Sequence, residues 1–462
     1  MSSSAPERGV FANRTLNLRS VDVIGYDMDY TLIHYDVGAW EAAAFEAAAD
    51  VLGEHGWPVA DLVFEPDRFT IGLVFDLELG NLVKATRFGY VVRAQHGNEL
   101  LSFEQQRASY RDTIVSLSDA RYQFMNTLFE LSRASLFTQF VDLHDAKSLP
   151  GVGSYVELYR HIDRALGEAH MAGVLKQRIL ADPDRFVDLD PGIVPTLLDQ
   201  RAAGKQLALI TNSDWSYTSQ MMRWTFDRFC PDGITWRDCF DLVIVSANKP
   251  RFFTSNDPIY RVVDEKRSLL HPHRGPLESG HVYFGGNARL VEESLGVSQG
   301  KPLYVGDHLF GDVHVTKDVL HWRTALIARE LEAEIADAAG FLEQQRTLEL
   351  LMADKVELDR RQAQLRLQRA RGDDVAGADL PSITRQALEL DDRIAPLARA
   401  ATELGNAIWG PLMRAGNDKS IFARQVERYA DVYTSRVSNL GAETPFAYLR
   451  GARLTLPHDA AS

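Results

Sequence analysis

The chain has 462 residues, 45% apolar and 25% charged, ordinary proportions for a globular protein long enough for two or three domains and a large core. A formal net charge of −14 excludes a general nucleic-acid-binding surface, which needs Lys and Arg in excess to neutralise phosphates. Cys230 and Cys239 are too few for a disulfide framework and lack metal-ligand partners at useful spacing, so a reducing compartment is expected. The leader MSSSAPERGV has no apolar stretch and no uninterrupted apolar run is long enough to cross a bilayer, so the expected location is cytoplasmic, with no membrane partner.

In chain order, VDVIGYDMDYTL (21–32) comes first. Its β-branched and aromatic run suits a buried strand, with Asp27 at the exit and Asp29 one residue beyond. In an open α/β sheet ligands bind outside the carboxyl ends of the strands, so both acids are candidates for one site, although alone the pair fits a surface turn equally well. WEAAAFEAAADVLGEHG predicts an Ala-rich helix ending at Gly56. From Phe69 to His96 the texture is of strands and turns, one at Gly80-Asn81, and from Glu99 to Asp188 the apolar spacing is helical. PGIVPTLLDQRAAGK is the next helix, then the strand LALITNS, a helix through Met221 and Met222, and the strand and loop FDLVIVSANKPRFF. A hairpin-like excursion around HPHRGPLESGHVYFGGN precedes the helix ARLVEESLG and then PLYVGDHLFGDV, and WRTALIA is the last expected core strand. Beyond Arg329 the sequence predicts long charged helices, partly of coiled-coil character, with ARGDDVAGADLPS as linker and QALELDDRIAPLARAATELGNAIWGPLM as a further helical segment. Their charges are expected mostly on a solvated face, a subunit contact being the alternative. Alternating strand and helix patterns predict a mainly parallel sheet.

Several predicted strands end in polar groups that phosphate chemistry can use: Asp27 and Asp29, Thr211 with Asn212, Lys249, and Asp307 with Asp312. Singly each has an ordinary explanation, Thr211 as a helix cap, Lys249 as a surface lysine, Asp312 as a turn residue. The order Asp-x-Asp-x-Thr, Thr or Ser, Lys, and Gly-Asp with a further Asp resembles the motifs of the haloacid dehalogenase superfamily. YDMDYTL, ITNSDWSYT, NKPRFF and YVGDHLFGDV are similar to its cytosolic purine 5′-nucleotidase branch, bacterial members included, from about Phe11 to about Pro457. The resemblance implies a three-layer, Rossmann-like α/β core, a helical cap inserted between the first and second motifs as a lid, and a helical C-terminal extension. The expected divisions are core at 1–68, cap and connecting segment at 69–188, core again at 189–330, and a helical region at 331–462.

The same resemblance places Asp27 as nucleophile and Mg²⁺ ligand, Asp307 as a second ligand and the backbone carbonyl of Asp29 as a third. A carboxylate approaching a phosphate monoester meets like charge, which a divalent cation offsets, and hard oxygen ligands suit Mg²⁺. Asp29 would protonate the departing 5′-oxygen and then activate water. Thr211 and Asn212 would hold the phosphoryl oxygens, Lys249 would oppose their charge, and Asp312 would orient Lys249. Phe129 matches the aromatic that stacks on the base, and His170 and Lys176 match pocket residues, although Phe129 also reads as a core position on an amphipathic helix.

The sequence departs from the family at the residues that read the purine edge, which align with Asp163 and Gly167; Arg160 or Arg164 would need a helical shift to serve. Asn126, Phe310, Gln425 and Tyr429 match a nucleotide effector site, but its phosphate-binding basic residues align with Ser116 and Asp318, so little activation by ATP-like effectors is expected. The expected function is a Mg²⁺-dependent 5′-nucleotidase acting on nucleoside monophosphates, purine favoured, through an aspartyl-phosphate, with phosphotransfer to a nucleoside as a variant. The alternatives are a scaffold of the same fold without turnover, or a phosphatase for another small phosphomonoester. A dimer or tetramer is implied by the resemblance.

Overall fold

The computed structural model describes residues 5–149, 151–171, 173–297, 302–372 and 380–452, with the side chains of His170 and Met171 outside it. Short apolar runs dictate its centre. Val23–Tyr26, Leu242–Val245 and Leu303–Gly306 are buried at every position, so they must lie inside a sheet covered on both faces. They belong to a ten-stranded sheet in the order Val10–Ala12, Val432–Thr434, Arg323–Ile327, Leu303–Gly306, Val23–Tyr26, Gln206–Ile210, Leu242–Val245, Val282–Gly285, Ile259–Asp264, Leu269–Pro272. From Val432–Thr434 to Val282–Gly285 neighbouring strands are parallel, and antiparallel strands close both edges. The expected α/β class with a mainly parallel sheet therefore holds. The strands carrying the polar clusters, Leu242–Val245, Gln206–Ile210, Val23–Tyr26 and Leu303–Gly306, are immediate neighbours, so their exits share one stretch of the sheet's carboxyl edge.

The sheet is wider than the sequence predicts. WRTALIA is not the last core strand: Val432–Thr434 returns beside it, Ala325 pairing with Val432, so the region beyond residue 331 is not wholly helical. A three-residue strand carries too little periodicity to be read from sequence. HVYFGGN likewise is not a hairpin: Val282–Gly285 is a parallel core strand, and the hairpin is the upstream pair Ile259–Asp264 and Leu269–Pro272. GNAIWGPLM does not continue a helix. Leu380–Thr402 ends first, and the Asn406 side chain accepts from the N–H groups of Ile408 (3.0 Å) and Trp409 (2.9 Å), holding a loop. Residues 373–379 of the expected linker lie outside the described residues, and Leu342–Arg371 packs on Leu380–Thr402 through Leu351, Leu390 and Ile394.

The Ala-rich helix is Val37–Glu54, begun by Asp36 accepting from the Ala39 N–H (2.7 Å) and followed by Gly56 at φ 82°. The stretch beyond it holds a five-stranded antiparallel sheet, ordered Glu99–Leu100, Val91–His96, Asn81–Ala85, Val74–Asp76, Tyr122–Phe124. Two of those strands, Glu99–Leu100 and Tyr122–Phe124, fall where only helices are predicted, again because they are too short to show a period. The helices are Phe103–Tyr110, Leu131–Asp145, Tyr155–Met171 and Val174–Ala181.

Glu41, on Val37–Glu54, is fully buried, with one oxygen accepting from the Ser132 N–H (2.7 Å) and the other unpartnered. Burial pushes its carboxyl up to about 7. The folded chain therefore keeps a proton that the unfolded chain releases nearer pH 4.5, so this contribution is complete below that pH and is lost as pH rises through 7. Glu41→Gln should abolish that component, on the order of 3 kcal/mol, and flatten the fall in urea midpoint between pH 5 and pH 8. Parallel profiles for the variant and the parent would refute the assignment.

Candidate active site

Asp27 leaves the central strand while its N–H still bonds the Val305 carbonyl (2.9 Å), which pins the carboxylate at the sheet edge. Its Oδ1 accepts from the Met28 N–H (2.7 Å) and lies 2.7 Å from Lys249 Nζ. The same ammonium is 3.0 Å from Asp312 Oδ1 and donates to the Tyr304 hydroxyl (3.1 Å), which donates onward to the Ile210 carbonyl (3.2 Å). Burial alone would lower the Lys249 pKa, but the Asp27 and Asp312 carboxylates carry it well above its ordinary value, so the group is a fixed ammonium.

Two glycines make this packing possible. A Cβ on Gly25 would meet the Tyr304 ring at 2.9 Å, and one on Gly306 would meet Asp312 Oδ2 at 2.5 Å, so both positions must stay bare for Tyr304 and Asp312 to reach Lys249. Asp312 sits in a wide-turned helix, Leu309–His314, whose start is capped by His308 Nδ1 accepting from the Gly311 N–H (2.8 Å). Helices of that kind recur at functional sites. Burial, reinforced by Lys249, pushes the His308 imidazole down to about 4, so the ring is neutral.

Asp27, Asp307 and Asp312 each offer an oxygen within 4.8 Å of the others, and Thr127 donates to Asp307 Oδ2 (3.2 Å). Burial raises Asp27 to about 6 against the pull of Lys249, and burial together with Asp27 raises Asp307 well above the carboxylate range. Buried carboxylates crowded at this distance, with one ammonium among them, fit a hard divalent cation, and Mg²⁺ by donor type. Asp312 joins the acidic cluster as well as contacting Lys249, the only role expected of it. The Asp29 side chain does not join it: Tyr35 OH donates to its Oδ1 (2.5 Å) and Ser213 Oγ to its Oδ2 (2.7 Å).

The exposed Asn212 amide commits one of its two N–H donors and its oxygen to Lys249. Its Oδ1 accepts from the Lys249 N–H (2.6 Å) and its Nδ2 donates to the Lys249 carbonyl (3.1 Å), tying two loops together. Thr211 is fully buried, its hydroxyl accepting from the Ser213 N–H (3.0 Å).

A cavity of about 740 Å³ opens above this group, lined by Asp27, Asp29, Thr211, Asn212, Lys249, Asp307, Asp312, Phe129 and Lys176. Phe129, half-buried, both lines it and packs edge-on against Tyr30 (4.7 Å between centroids) and Trp40 (5.5 Å), so it stands between the core and the cavity. Lys176 bonds Asp214 (3.1 Å). His170 stands on Tyr155–Met171, its side chain outside the described residues. Asp163 is held by Arg133 (2.8 Å), and Arg164 lines a different cavity with Trp57 and His161. Among the matched effector positions, the Asn126 side chain accepts from the Phe310 N–H (3.4 Å), Tyr429 lies 6.4 Å from Phe310, and Asp318 is occupied by His314 (3.0 Å). Sequence reasoning missed Tyr35, Thr127, Ser213, Tyr217, Tyr304 and His308. Ser213, Tyr217, Tyr304 and His308 lie in or beside the motifs and were within reach, and Tyr35 is six residues beyond Asp29; Thr127 arrives from a distant element and carries no local signal.

A sequence model described as the 5′ nucleotidase family matches residues 10–461. The chain belongs to the 5′-nucleotidase family. It is 31% identical over 451 residues to human 5′-nucleotidase domain-containing protein 2, covering 93% of this chain and 81% of that protein. It is 26% identical over 460 residues to a 5′-nucleotidase domain-containing protein of Dictyostelium discoideum, covering 97% and 74% respectively. Among solved structures, an archaeal beta-phosphoglucomutase from Pyrococcus sp. strain ST 04 aligns over 66% of this chain and 86% of its own at 10% identity and a TM-score of 0.31, too loose a likeness to bear on function. As a 5′-nucleotidase family member the protein is a phosphomonoester hydrolase of haloacid dehalogenase type. No helix among its described residues is long and apolar enough to cross a membrane.

For this 5′-nucleotidase family member the Asn212–Lys249 clamp makes a direct prediction. Asn212→Ala removes two hydrogen bonds, which should cost about 2 kcal/mol in urea unfolding and lower phosphate release about tenfold or more as Lys249 loses its fixed backbone. Unchanged activity would show that the clamp does not position Lys249.

Proposed function

We propose that the protein is a Mg²⁺-dependent 5′-nucleotidase that hydrolyses nucleoside 5′-monophosphates through an aspartyl-phosphate on Asp27. The observation that carries this reading is the grouping of Asp27, Asp307 and Asp312 within 4.8 Å, faced by Lys249 2.7 Å from Asp27. That assembled charge group also speaks against a scaffold without turnover.

Mg²⁺ would be held by Asp27, Asp307 and the Asp29 carbonyl, where its charge offsets the repulsion between a carboxylate and a phosphate dianion. An Asp27 oxygen then forms a bond to phosphorus as the bond to the 5′-oxygen breaks, and that oxygen keeps the electron pair and takes a proton from Asp29. Lys249 would stabilise charge spread over the phosphoryl oxygens, with Thr211 and Asn212, which line the same cavity, as further donors. In the second half, Asp29 takes a proton from water as it attacks phosphorus, releasing phosphate and restoring Asp27. A nucleoside hydroxyl in place of that water gives phosphotransfer.

Phe129 at the cavity wall supports a flat base as leaving-group partner, with the larger purine favoured by stacking area. A screen of phosphate release over nucleoside and sugar monophosphates tests the reading. Nucleoside monophosphates should lead it, chelation should abolish turnover and added Mg²⁺ restore it, and Asp27→Asn should reduce the rate about 10³-fold or more. Turnover that survives Asp27→Asn or chelation would contradict the mechanism. ATP should leave the rate nearly unchanged, because Asp318 and Ser116 align with the basic residues that hold an effector's phosphates in the family.

A further inference from the structure

Both oxygens of the Asp29 carboxylate are held by hydroxyl donors, Tyr35 at 2.5 Å and Ser213 at 2.7 Å, and the Tyr35 hydroxyl is itself 3.0 Å from that of Tyr217. Tyr35, Ser213 and Tyr217 are all buried. Ser213 belongs to the loop after Gln206–Ile210, Tyr217 to the helix that follows that loop, and Tyr35 to a different segment. Tyr35 stands on His34–Tyr35, a two-residue strand laddered to Val187–Asp188, the segment by which the chain returns from its long insertion. Tyr217 lies in the first turn of Trp215–Phe226, its ring 4.9 Å from the Lys176 ammonium on Val174–Ala181. Each tyrosine is thus held by two separate elements, Tyr35 touching Asp29 directly and Tyr217 through the Tyr35 hydroxyl.

From this geometry we infer that Tyr35, backed by Tyr217, is a positioning residue that sets the plane and reach of the Asp29 carboxyl toward the leaving oxygen. The inference rests on the nucleotidase reading above. A carboxyl on a short side chain turns freely unless both oxygens are engaged, and proton transfer in the transition state requires hydrogen-bond reach to the departing atom. A hydroxyl suits this task because it can donate to a carboxylate and accept from a carboxylic acid, so one partner serves both forms without adding a charge that would favour either. An Arg or Lys in the same place would hold only the anion. In the step affected, the bond between phosphorus and the leaving oxygen breaks, its electron pair stays on that oxygen, and the Asp29 proton joins it while Asp27 gains the phosphoryl group. Only the proton transfer depends on Tyr35.

The test compares Tyr35→Phe and Tyr217→Phe with the parent on a nucleoside monophosphate, phenyl phosphate and 4-nitrophenyl phosphate, all with Mg²⁺. These leaving groups need a proton to decreasing extents, and kcat/KM reports on steps up to leaving-group departure. Tyr35→Phe keeps the ring packed on Trp40 (4.3 Å) and Tyr30 (5.3 Å), so the fold should persist, with an unchanged circular dichroism spectrum. Its kcat/KM on the nucleoside monophosphate should fall about tenfold or more, carried by kcat with KM little altered, and the loss should shrink steadily toward 4-nitrophenyl phosphate. Tyr217→Phe should give the same gradient with a smaller loss. An equal loss on every substrate, or no loss on any, overturns the inference. Failure of the nucleotidase reading looks different: the parent would be inactive on the nucleoside monophosphate, or Asp27→Asn would match it.

Discussion

Asp27, Asp307 and Asp312 are gathered within 4.8 Å of one another, and Lys249 is the ammonium set among them. One positive charge cannot balance that cluster, and a buried surplus of negative charge is among the most costly arrangements a fold can hold. The strain shows in the raised proton affinities of Asp27 and Asp307. A divalent cation would resolve it, and on the proposed mechanism the same cation would prepare the site for a phosphate dianion.

The fold meets this constraint through strand order. Four neighbouring parallel strands each end in one of the required groups, and the crossover connections that a parallel sheet imposes bring residues far apart in sequence to one edge. Fine adjustment comes from small features. Gly25 and Gly306 leave the space through which Tyr304 and Asp312 reach Lys249, and Asn212 locks the Lys249 backbone to the neighbouring loop. The insertion contributes Phe129 and Lys176 to the cavity wall, and Thr127 donates to Asp307.

Much of the core was legible in the sequence because its signals are local. Val23–Tyr26 and Leu303–Gly306 announce themselves as apolar runs, and Asp27, Thr211, Lys249 and Asp307 stand at strand exits in a fixed order. What was not legible is non-local or too short. Val432–Thr434 and Tyr122–Phe124 have no period to read, and they become strands only because an edge is there to receive them. The Tyr35–Tyr217 contact joins residues 182 apart, and although both stand near motif residues, no local pattern says that their hydroxyls meet. Asn212 illustrates a subtler case: the motif marks the residue, but not the loop clamp to Lys249 that takes its oxygen and one of its two N–H donors.

The central claim is that Asp27 carries the phosphoryl group between the two halves of the reaction. Borohydride reduces an acyl phosphate to an alcohol, turning a phosphorylated aspartate into homoserine. Protein quenched during turnover, reduced and digested should therefore yield homoserine at position 27 by peptide mass spectrometry, and only when substrate and Mg²⁺ are both present. Homoserine at another position, or an unmodified peptide from protein that is demonstrably turning over, would contradict the account.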